Sequence, residues 1–482
     1  MPAPSKTAAP SSTPAEPSAP DRLPTRRRLI LALLLGAQFM LAVDFSILNV
    51  ALPDIGRGVG LSLGALQWVA TAFALPAAGF TLLFGRVADL LGRRRLFVTG
   101  LALLAAGSLV GGLAGNSAVL LTGRVLQGLA TAIATPAALS LLTTSFPEGP
   151  LRRRALGLNG ALMSAGFAVG ALFGGVLTDL LSWRWAFLVN APVAVVLLVA
   201  APALIPADRD RATGRLDIPG AVTVTGGLLF LVYGITRAGH AGWGDSAALT
   251  GLAVGAVLLV VFTLVENRAA EPLASLRVLT KRTVGWGNLG GLVVFAMETA
   301  IVFLLTIYLQ TVLGYSALVT GLVFGVPGVT AALAGVLGPR LLGRVGARNS
   351  LVAGLVVQGA SNAVLLLLGT DRTGIVLVIA SSAIGFFGHV YGIVAYTVTA
   401  TSGLPDHEQG LATGLTTMTQ QVAFALGIPV ISAVAVARTG SSRDPVAVLD
   451  GLHLAIGVDV AVTVVAAVLI AVFLRPRAAR PA

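Results

Sequence analysis

Apolar stretches close to the width of a bilayer recur along almost the whole sequence, and no other feature limits so narrowly what the chain can fold into. A helix needs about 20 predominantly apolar residues to cross the hydrocarbon core. Runs of that kind lie at 29–52, 63–84, 96–114, 117–142, 155–178, 185–205, 218–236, 246–265, 284–309, 316–339, 350–369, 374–400, 409–436 and 452–474, fourteen in all. Lipid gives an open strand edge nothing to hydrogen-bond with, so each run is predicted to be a helix. The expected fold class is therefore an all-α integral membrane protein with fourteen transmembrane helices. Only 11% of the 482 residues are charged, against about 25% in a soluble domain, which agrees.

The same residues exclude several function classes. There is no cysteine, hence no disulfide and no thiolate metal site, and His240, His389, His407 and His453 are too scattered to form a ligand cluster. Lys6 and Lys281 are the only lysines and neither follows glycine, so no Walker-type phosphate loop is present and ATP is not the internal fuel. An enzyme, a metal and a bound cofactor are not expected. Energy, where used, comes from an ion gradient. The net charge of +12 could suggest nucleic acid, but its distribution argues otherwise. With both termini inside, 25 of the 32 Lys and Arg residues fall on the cytoplasmic side, as topology-setting charge does. One inside loop, Asp406-His407-Glu408, has no Lys or Arg nearby.

Residues 1–27 carry seven prolines among Ala, Ser and Thr and are expected to be a disordered cytoplasmic tail rather than a signal peptide. Beyond it the chain repeats. A shift of 254 residues lays the first five runs on runs nine to thirteen, and Arg86, Gly92, Arg94, Val98, Gly100 and Leu101 on Arg340, Gly346, Arg348, Val352, Gly354 and Leu355. The predicted organisation is a six-helix half over 28–206, a linker with two inserted helices over 207–282, a second six-helix half over 283–476 and a short cytoplasmic tail over 477–482. An inserted pair returns the chain to the cytoplasm, so the halves are parallel repeats around an axis along the membrane normal, with a binding site expected between them near midplane.

Asp44 stands inside the first run, where a carboxylate costs roughly 2.5–3.5 kcal/mol on insertion scales. The 254-residue shift sets Glu298 opposite it, in a run with no other charge between Asn288 and Leu309. Intramembrane acids are by default working residues. Arg124 lies about seven residues into the fourth run and Asp44 eight residues before the outer end of the first, so both sit roughly 10–12 Å below the outer boundary. They can pair, and whether Asp44 takes up a proton then depends on how that pair opens; a purely structural ion pair is the plainer alternative. Glu298 is a candidate second proton or cation-substrate site, the alternative being a neutral acid bonded to a backbone carbonyl. His389, in run twelve, is a candidate proton relay or substrate contact, with a structural hydrogen-bond donor as the alternative. Asp459 is expected to reach outward to the interface. Trp183, Trp185 and Trp243 are expected to be interface anchors.

After the second run the chain reads Gly85-Arg86-Val87-Ala88-Asp89-Leu90-Leu91-Gly92-Arg93-Arg94-Arg95. Its two glycines permit a tight turn, and Asp89 can bond an arginine or a helix N-terminus of a neighbour, which would make a conformational latch broken on opening. This Gly-x-x-x-Asp-x-x-Gly-Arg-Arg pattern resembles the corresponding motif of the major facilitator superfamily. The segment Val43 to Pro53 resembles the first-helix signature of its fourteen-helix drug:proton antiporter branch, the EmrB/QacA-type exporters. Arg124-Val125-Leu126-Gln127-Gly128 is similar to the superfamily's fourth-helix motif, and Trp183-Arg184-Trp185 with Asn190-Ala191-Pro192 to the segment before the branch's sixth helix. The fifth run carries Gly157, Gly166, Gly170, Gly174 and Gly175, resembling the antiporter motif except that Ala171 stands where the family has proline. Small residues four apart favour close helix packing, and Gly321, Gly325 and Gly328 offer a partner face.

The resemblance implies proton-coupled export of a small amphipathic or cationic compound across the cytoplasmic membrane. Its implied partners are the lipid bilayer, the small-molecule substrate and protons, with the monomer as the functional unit. Thirty Arg against two Lys suggests a GC-rich bacterial genome, to which a self-resistance exporter for an antibiotic would fit. Proton-coupled uptake of a nutrient or anion is the alternative within transport, and a non-transporting membrane sensor or scaffold the alternative outside it.

Overall fold

A computed structural model of the protein describes residues 24–146, 150–206, 217–269, 272, 276–404, 406–440, 442 and 444–474. The expected C-terminal tail, most of the N-terminal tail and part of the linker lie outside these residues. The helix at the N-terminus nevertheless begins at Thr25, within the stretch read as tail.

The described residues form sixteen α-helices: α1 Thr25–Val59, α2 Gln67–Leu91, α3 Arg93–Gly112, α4 Ser117–Ser145, α5 Pro150–Leu180, a single turn α6 Trp185–Leu188, α7 Asn190–Leu204, α8 Ile218–Ala241, α9 Ser246–Glu266, a single turn α10 Leu276–Leu279, α11 Arg282–Ile307, α12 Ala317–Val345, α13 Ala347–Val364, α14 Gly374–Thr401, α15 Asp406–Thr439 and α16 Pro445–Phe473. A π-turn, Tyr308–Val312, prolongs α11. Twelve helical segments among the described residues are long and apolar enough to cross a membrane, α6 and α7 counting as one. The twelve do not include α2 and α5, which are 25 and 31 residues long.

Local chemistry explains many of the boundaries. Asn116, Asp217, Asp245, Ser316 and Asp444 each precede a helix and accept a hydrogen bond from a free backbone N–H of its first turn. Gly92, between α2 and α3, has φ +111°, and Gly346, at the matching turn between α12 and α13, has φ +83°; both are values that a side chain resists. Several ends differ from the sequence reading, two of them instructively. The first helix continues through Pro53 to Val59, since neighbouring helices in a bundle satisfy the backbone groups that a proline frees. Asp406, His407 and Glu408 form the first turn of α15 rather than a loop, where acidic residues favour the positive end of the helix dipole.

Helix packing follows the 254-residue repeat. α1 lies on α4, α5 and α7, while α11 lies on α14, α15 and α16; α3 lies on α4 and α7, while α13 lies on α14 and α16. α2 packs on α4 and α12 on α14. Between the two sets, α5 meets α12 and α2 meets α15, and α8, paired with α9, covers the α2–α15 seam. At that seam Thr225 donates to the Gly79 carbonyl at 2.8 Å. Burial separates centre from rim: 94% of the most apolar window of Arg282–Val312 is buried, against 22% for Ser246–Glu266, whose Val257, Val260 and Leu264 face outward.

Arginines fasten the last helix of each set. Arg26 and Arg94 donate to the Leu204 and Ile205 carbonyls at the end of α7, at 3.2 and 3.0 Å, and Arg282 and Arg348 to the Phe473 and Ala471 carbonyls at the end of α16. These carbonyls lie at helix C-termini, where the last backbone acceptors have no partner within the helix.

Candidate functional site

Asp44 is fully buried, and two helices supply its partners. Its Oδ1 accepts from Gln127 Nε2 on α4 at 2.8 Å and from Asn190 Nδ2 at the start of α7 at 2.5 Å. Its Oδ2 has no hydrogen bond and faces Arg124 Nη1 at 3.7 Å. The structure thus brings Asp44 and Arg124 together as an ion pair. Arg124 is held on every side: Nε donates to the Val69 carbonyl at 2.9 Å, Nη1 to Gln127 Oε1 at 2.9 Å, and the guanidinium lies over the Phe73 ring, 4.4 Å from its centre. Gln127 also donates to Ser108 Oγ on α3 at 3.1 Å. A buried pair of opposite charges persists only where such bonds replace lost water.

Glu298 and His389 stand elsewhere, in the wall of a cavity of about 400 Å³ between the two sets of helices. That lies within the range of roughly 300–1,000 Å³ of small-molecule sites. Its wall is mainly apolar and aromatic, from Phe45, Phe73, Phe167, Phe295, Phe386, Tyr396 and Phe424, with Gln38, Thr131, Gln420 and Gln421 among its polar groups. Asp44 and Arg124 do not line it. A file of rings connects them to it instead: Phe73 is 5.9 Å from Phe45, Phe45 is 4.7 Å from Phe424, Phe424 is 5.5 Å from Phe295 and Phe295 is 5.7 Å from His389, centre to centre.

His389 Nδ1 meets the Val294 carbonyl at 3.1 Å. A carbonyl only accepts, so Nδ1 carries a hydrogen, which leaves Nε2 of a neutral ring as an acceptor. Glu298 is 4% exposed and its Oε2 has no hydrogen-bond partner. Rings supply dispersion and π-faces to a flat or cationic solute, and a carboxylate supplies its counter-charge.

Asp459 contradicts its expected place at the interface. It is fully buried in α16 and accepts from Asn362 Nδ2 on α13 at 2.9 Å, because α16 buries that face on α13 and α11. Trp183 is also corrected: it is 6% exposed, wedged against Phe187 with Arg184 over its ring, while Trp185 and Trp243 are exposed.

The glycines of α5 divide between two neighbours. A side chain at Gly166 would meet Ala42, at Gly170 the Val43 carbonyl and at Gly174 the Ile47 carbonyl, so this face packs on α1 rather than on α12. Gly175 and Ala171 meet Ala317 and Gly321 of α12, and Ala168 meets Gly328, whereas Gly157 and Gly325 have nothing within 4 Å. Of the latch residues, Gly85 approaches Pro136, Gly92 makes the turn and Arg94 bonds α7, as above. Arg86 and Arg93 are also engaged, and the Asp89 side chain lies outside the described residues.

Sequence reasoning gave no role to Gln127 and Asn190, though both stand in quoted motifs, and it missed Ser108, Gln358 and Asn362. The repeat could have found some of these: the 254-residue shift carries Ser108 onto Asn362 and Gln127 onto Ser381.

Known proteins agree with this architecture. The family model described as Major Facilitator Superfamily matches residues 34–428. The puromycin resistance protein of Streptomyces alboniger is 38% identical over 92% of this chain and 89% of its own length. The cephamycin export protein of Amycolatopsis lactamdurans is 38% identical over 86% of each chain. The tetracenomycin C resistance and export protein of Streptomyces glaucescens is 31% identical over 85% of this chain and 76% of its own. Among solved structures, the nucleoside transporter NupG superposes with a TM-score of 0.64 at 15% identity, over 93% of this chain and all of that one, which speaks for the fold alone.

Proposed function

This chain belongs to the major facilitator superfamily, and on that premise we propose that it exports small amphipathic or cationic compounds, antibiotics among them, across the cytoplasmic membrane in exchange for protons. The relatives named for antibiotic resistance and export support the direction. The observation that carries the reading is Glu298, a carboxyl with an unpartnered oxygen in the wall of an aromatic cavity between the two sets of helices.

In this reading α2 and α5 also cross the membrane, giving fourteen spans, with two parallel six-helix halves over 28–206 and 283–476 and α8–α9 inserted between them. Both termini are cytoplasmic and the monomer is the working unit. The cavity residues lie near the middle of α1, α4, α5 and α11, which supports a binding site near midplane between the two halves. Each proton moving inward contributes roughly 2.3 kcal/mol per 100 mV of membrane potential, plus any pH difference. Glu298 exchanges a proton for the cationic or polar part of the substrate. Asp44 follows the outward side of the cycle by making and breaking its pair with Arg124, which the rings of Phe73 and Phe45 connect to the substrate. His389 relays or contacts at the cavity wall. Asp89, Gly85, Gly92, Arg93 and Arg94 form the latch that releases when the halves rock, and the α5 glycines give the close surface on which α1 moves.

The test is proton release from purified protein on adding puromycin, cephamycin or tetracenomycin C. At least one is expected to release protons from the unmodified protein, with Glu298→Gln lowering the count and the double variant Asp44→Asn, Glu298→Gln abolishing it. Undiminished release from the double variant would overturn the assignment.

A further inference from the structure

The cavity wall holds polar groups of two kinds. One kind serves the protein itself. Thr131 donates to the Gln127 carbonyl at 3.0 Å, Thr299 to the Phe295 carbonyl at 2.8 Å, Thr397 to the Ile393 carbonyl at 2.9 Å and Tyr396 to the Thr416 carbonyl at 2.8 Å. The other kind is made of amides. Gln38, Gln420 and Gln421 line the same wall, and none of their side chains is hydrogen-bonded to a described residue. Gln38 is only 4% exposed, so what its amide can reach lies in the cavity. Other glutamines of the helices show the contrast: Gln127 donates to Asp44 and Ser108, Gln310 to the Val50 carbonyl at 2.7 Å and Gln358 to the Val294 carbonyl at 3.2 Å.

Contacts between α11 and α15 place these amides relative to the acid. Thr419 donates to Asn288 Oδ1 at 2.7 Å, and a Cβ at Gly427 would meet the Ala296 carbonyl. Both pairs are 131 residues apart, so the two helices run parallel and in step. Phe295 and Phe424, 5.5 Å apart centre to centre, form a layer of rings between them. The same spacing sets Glu298 level with Pro429, eight and nine residues beyond Gln421 and Gln420, or roughly 12–14 Å along the axes. Acid and amides therefore stand on opposite sides of the rings. Gln38 comes seven residues before Phe45, two turns along one face of α1, and Phe45 lies 4.7 Å from Phe424. In the fourteen-span arrangement α1 and α15 run the same way, which puts Gln38 at the amide end.

We propose that the cavity reads its substrate in three parts: Glu298 takes a cationic group, the rings a flat apolar middle, and Gln38, Gln420 and Gln421 an arm carrying amide, carbonyl or hydroxyl groups. A primary amide has two N–H donors and an accepting oxygen, so it matches such an arm from either side of the hydrogen bond. A solute without the arm leaves buried amides unpaired, and a site built to hydrogen-bond rejects such an analogue. The three glutamines are thus specificity-determining residues. Gln38 belongs to the first set of helices and the other two to the second, so a bound arm also spans the two sets. The proposal rests on the export reading for its class of substrate, but not on the direction of transport or on proton coupling.

The experiment measures the Kd of two probes for the purified protein. Puromycin carries an amine, a flat base, and amide and hydroxyl groups, whereas tetraphenylphosphonium is a cation with rings and no hydrogen-bonding group. Gln38→Leu and Gln420→Leu are each expected to weaken puromycin about tenfold, the effect of leaving one ligand group unpaired, and to leave tetraphenylphosphonium within about twofold. Unchanged puromycin binding, or equal weakening of both probes, would overturn the proposal. Binding of tetraphenylphosphonium without puromycin would sink it too, while export of a simpler cation stood. Puromycin binding that depends on the glutamines but leads to no flux would instead sink export and leave the proposal standing. A second measurement needs no ligand. An amide that makes no bond within the protein can be replaced by leucine without loss, so Gln38→Leu should not lower the thermal unfolding midpoint. Gln310→Leu, which removes a bonded amide, should lower it. A midpoint lowered by Gln38→Leu would show that the protein itself uses that amide, against the assignment.

Discussion

Arg124 shows how much of the candidate site depends on one side chain. It satisfies Gln127 and the Val69 carbonyl and offsets the charge of Asp44, both residues being buried. Arg124→Met is expected to destabilise the protein by about 3–5 kcal/mol, the usual cost of leaving one buried charge unpaired. Adding Asp44→Asn should recover most of that loss without restoring proton-coupled transport. Thermal unfolding of the purified variants checks this, and a double variant as unstable as Arg124→Met would argue against a working ion pair. The pairing itself was legible in the sequence, because depth along two helices can be counted from their ends. Asn190 and Asp459 were not legible. The break that makes α6 and α7 two pieces takes the last helix of the first set out of the 254-residue register, so that offset passes both residues by.

At the scale of helices, the glycines of α5 report how closely their neighbours approach. A Cβ at Gly174 would lie 2.3 Å from the Ile47 carbonyl oxygen, a backbone atom that cannot step aside, whereas one at Gly325 would meet nothing within 4 Å. Gly174→Ala is therefore predicted to lower stability by roughly 1–3 kcal/mol, as overpacking does, and to impair transport. Gly325→Ala should be tolerated. Unfolding and flux measured on both variants decide the matter, and equal tolerance would mean that α1 and α5 are not packed this closely. The small-residue face was legible from spacing four, but its partner was not. Spacing shows which residues share a face, and both α1 and α12 border α5. Run lengths located the helices to within about seven residues, and they stopped α1 at Leu52, before Pro53, where packing carries it on to Val59.

For the whole molecule, the charge distribution is the basis for the proposal that both termini are cytoplasmic. The chain contains no cysteine, so a cysteine introduced singly reports its side without background. Cysteine at Arg95 should react with a membrane-impermeant maleimide only from the cytoplasmic face, and cysteine at Asp371 only from the outer face. The reverse pattern would invert the topology. An all-helical membrane fold and the matching helix contacts of the repeat were readable from the sequence, while the aromatic file from Phe73 to His389 was not, since it crosses between the two sets and no periodicity connects them. Export against proton influx is the claim on which the rest depends. Proteoliposomes containing the purified protein, supplied with the three antibiotics named for its relatives, test it independently of how the protein is oriented. An acidic lumen should drive at least one compound to accumulate inside, and Glu298→Gln should abolish that accumulation; accumulation only when the lumen is alkaline would instead show symport and contradict the account.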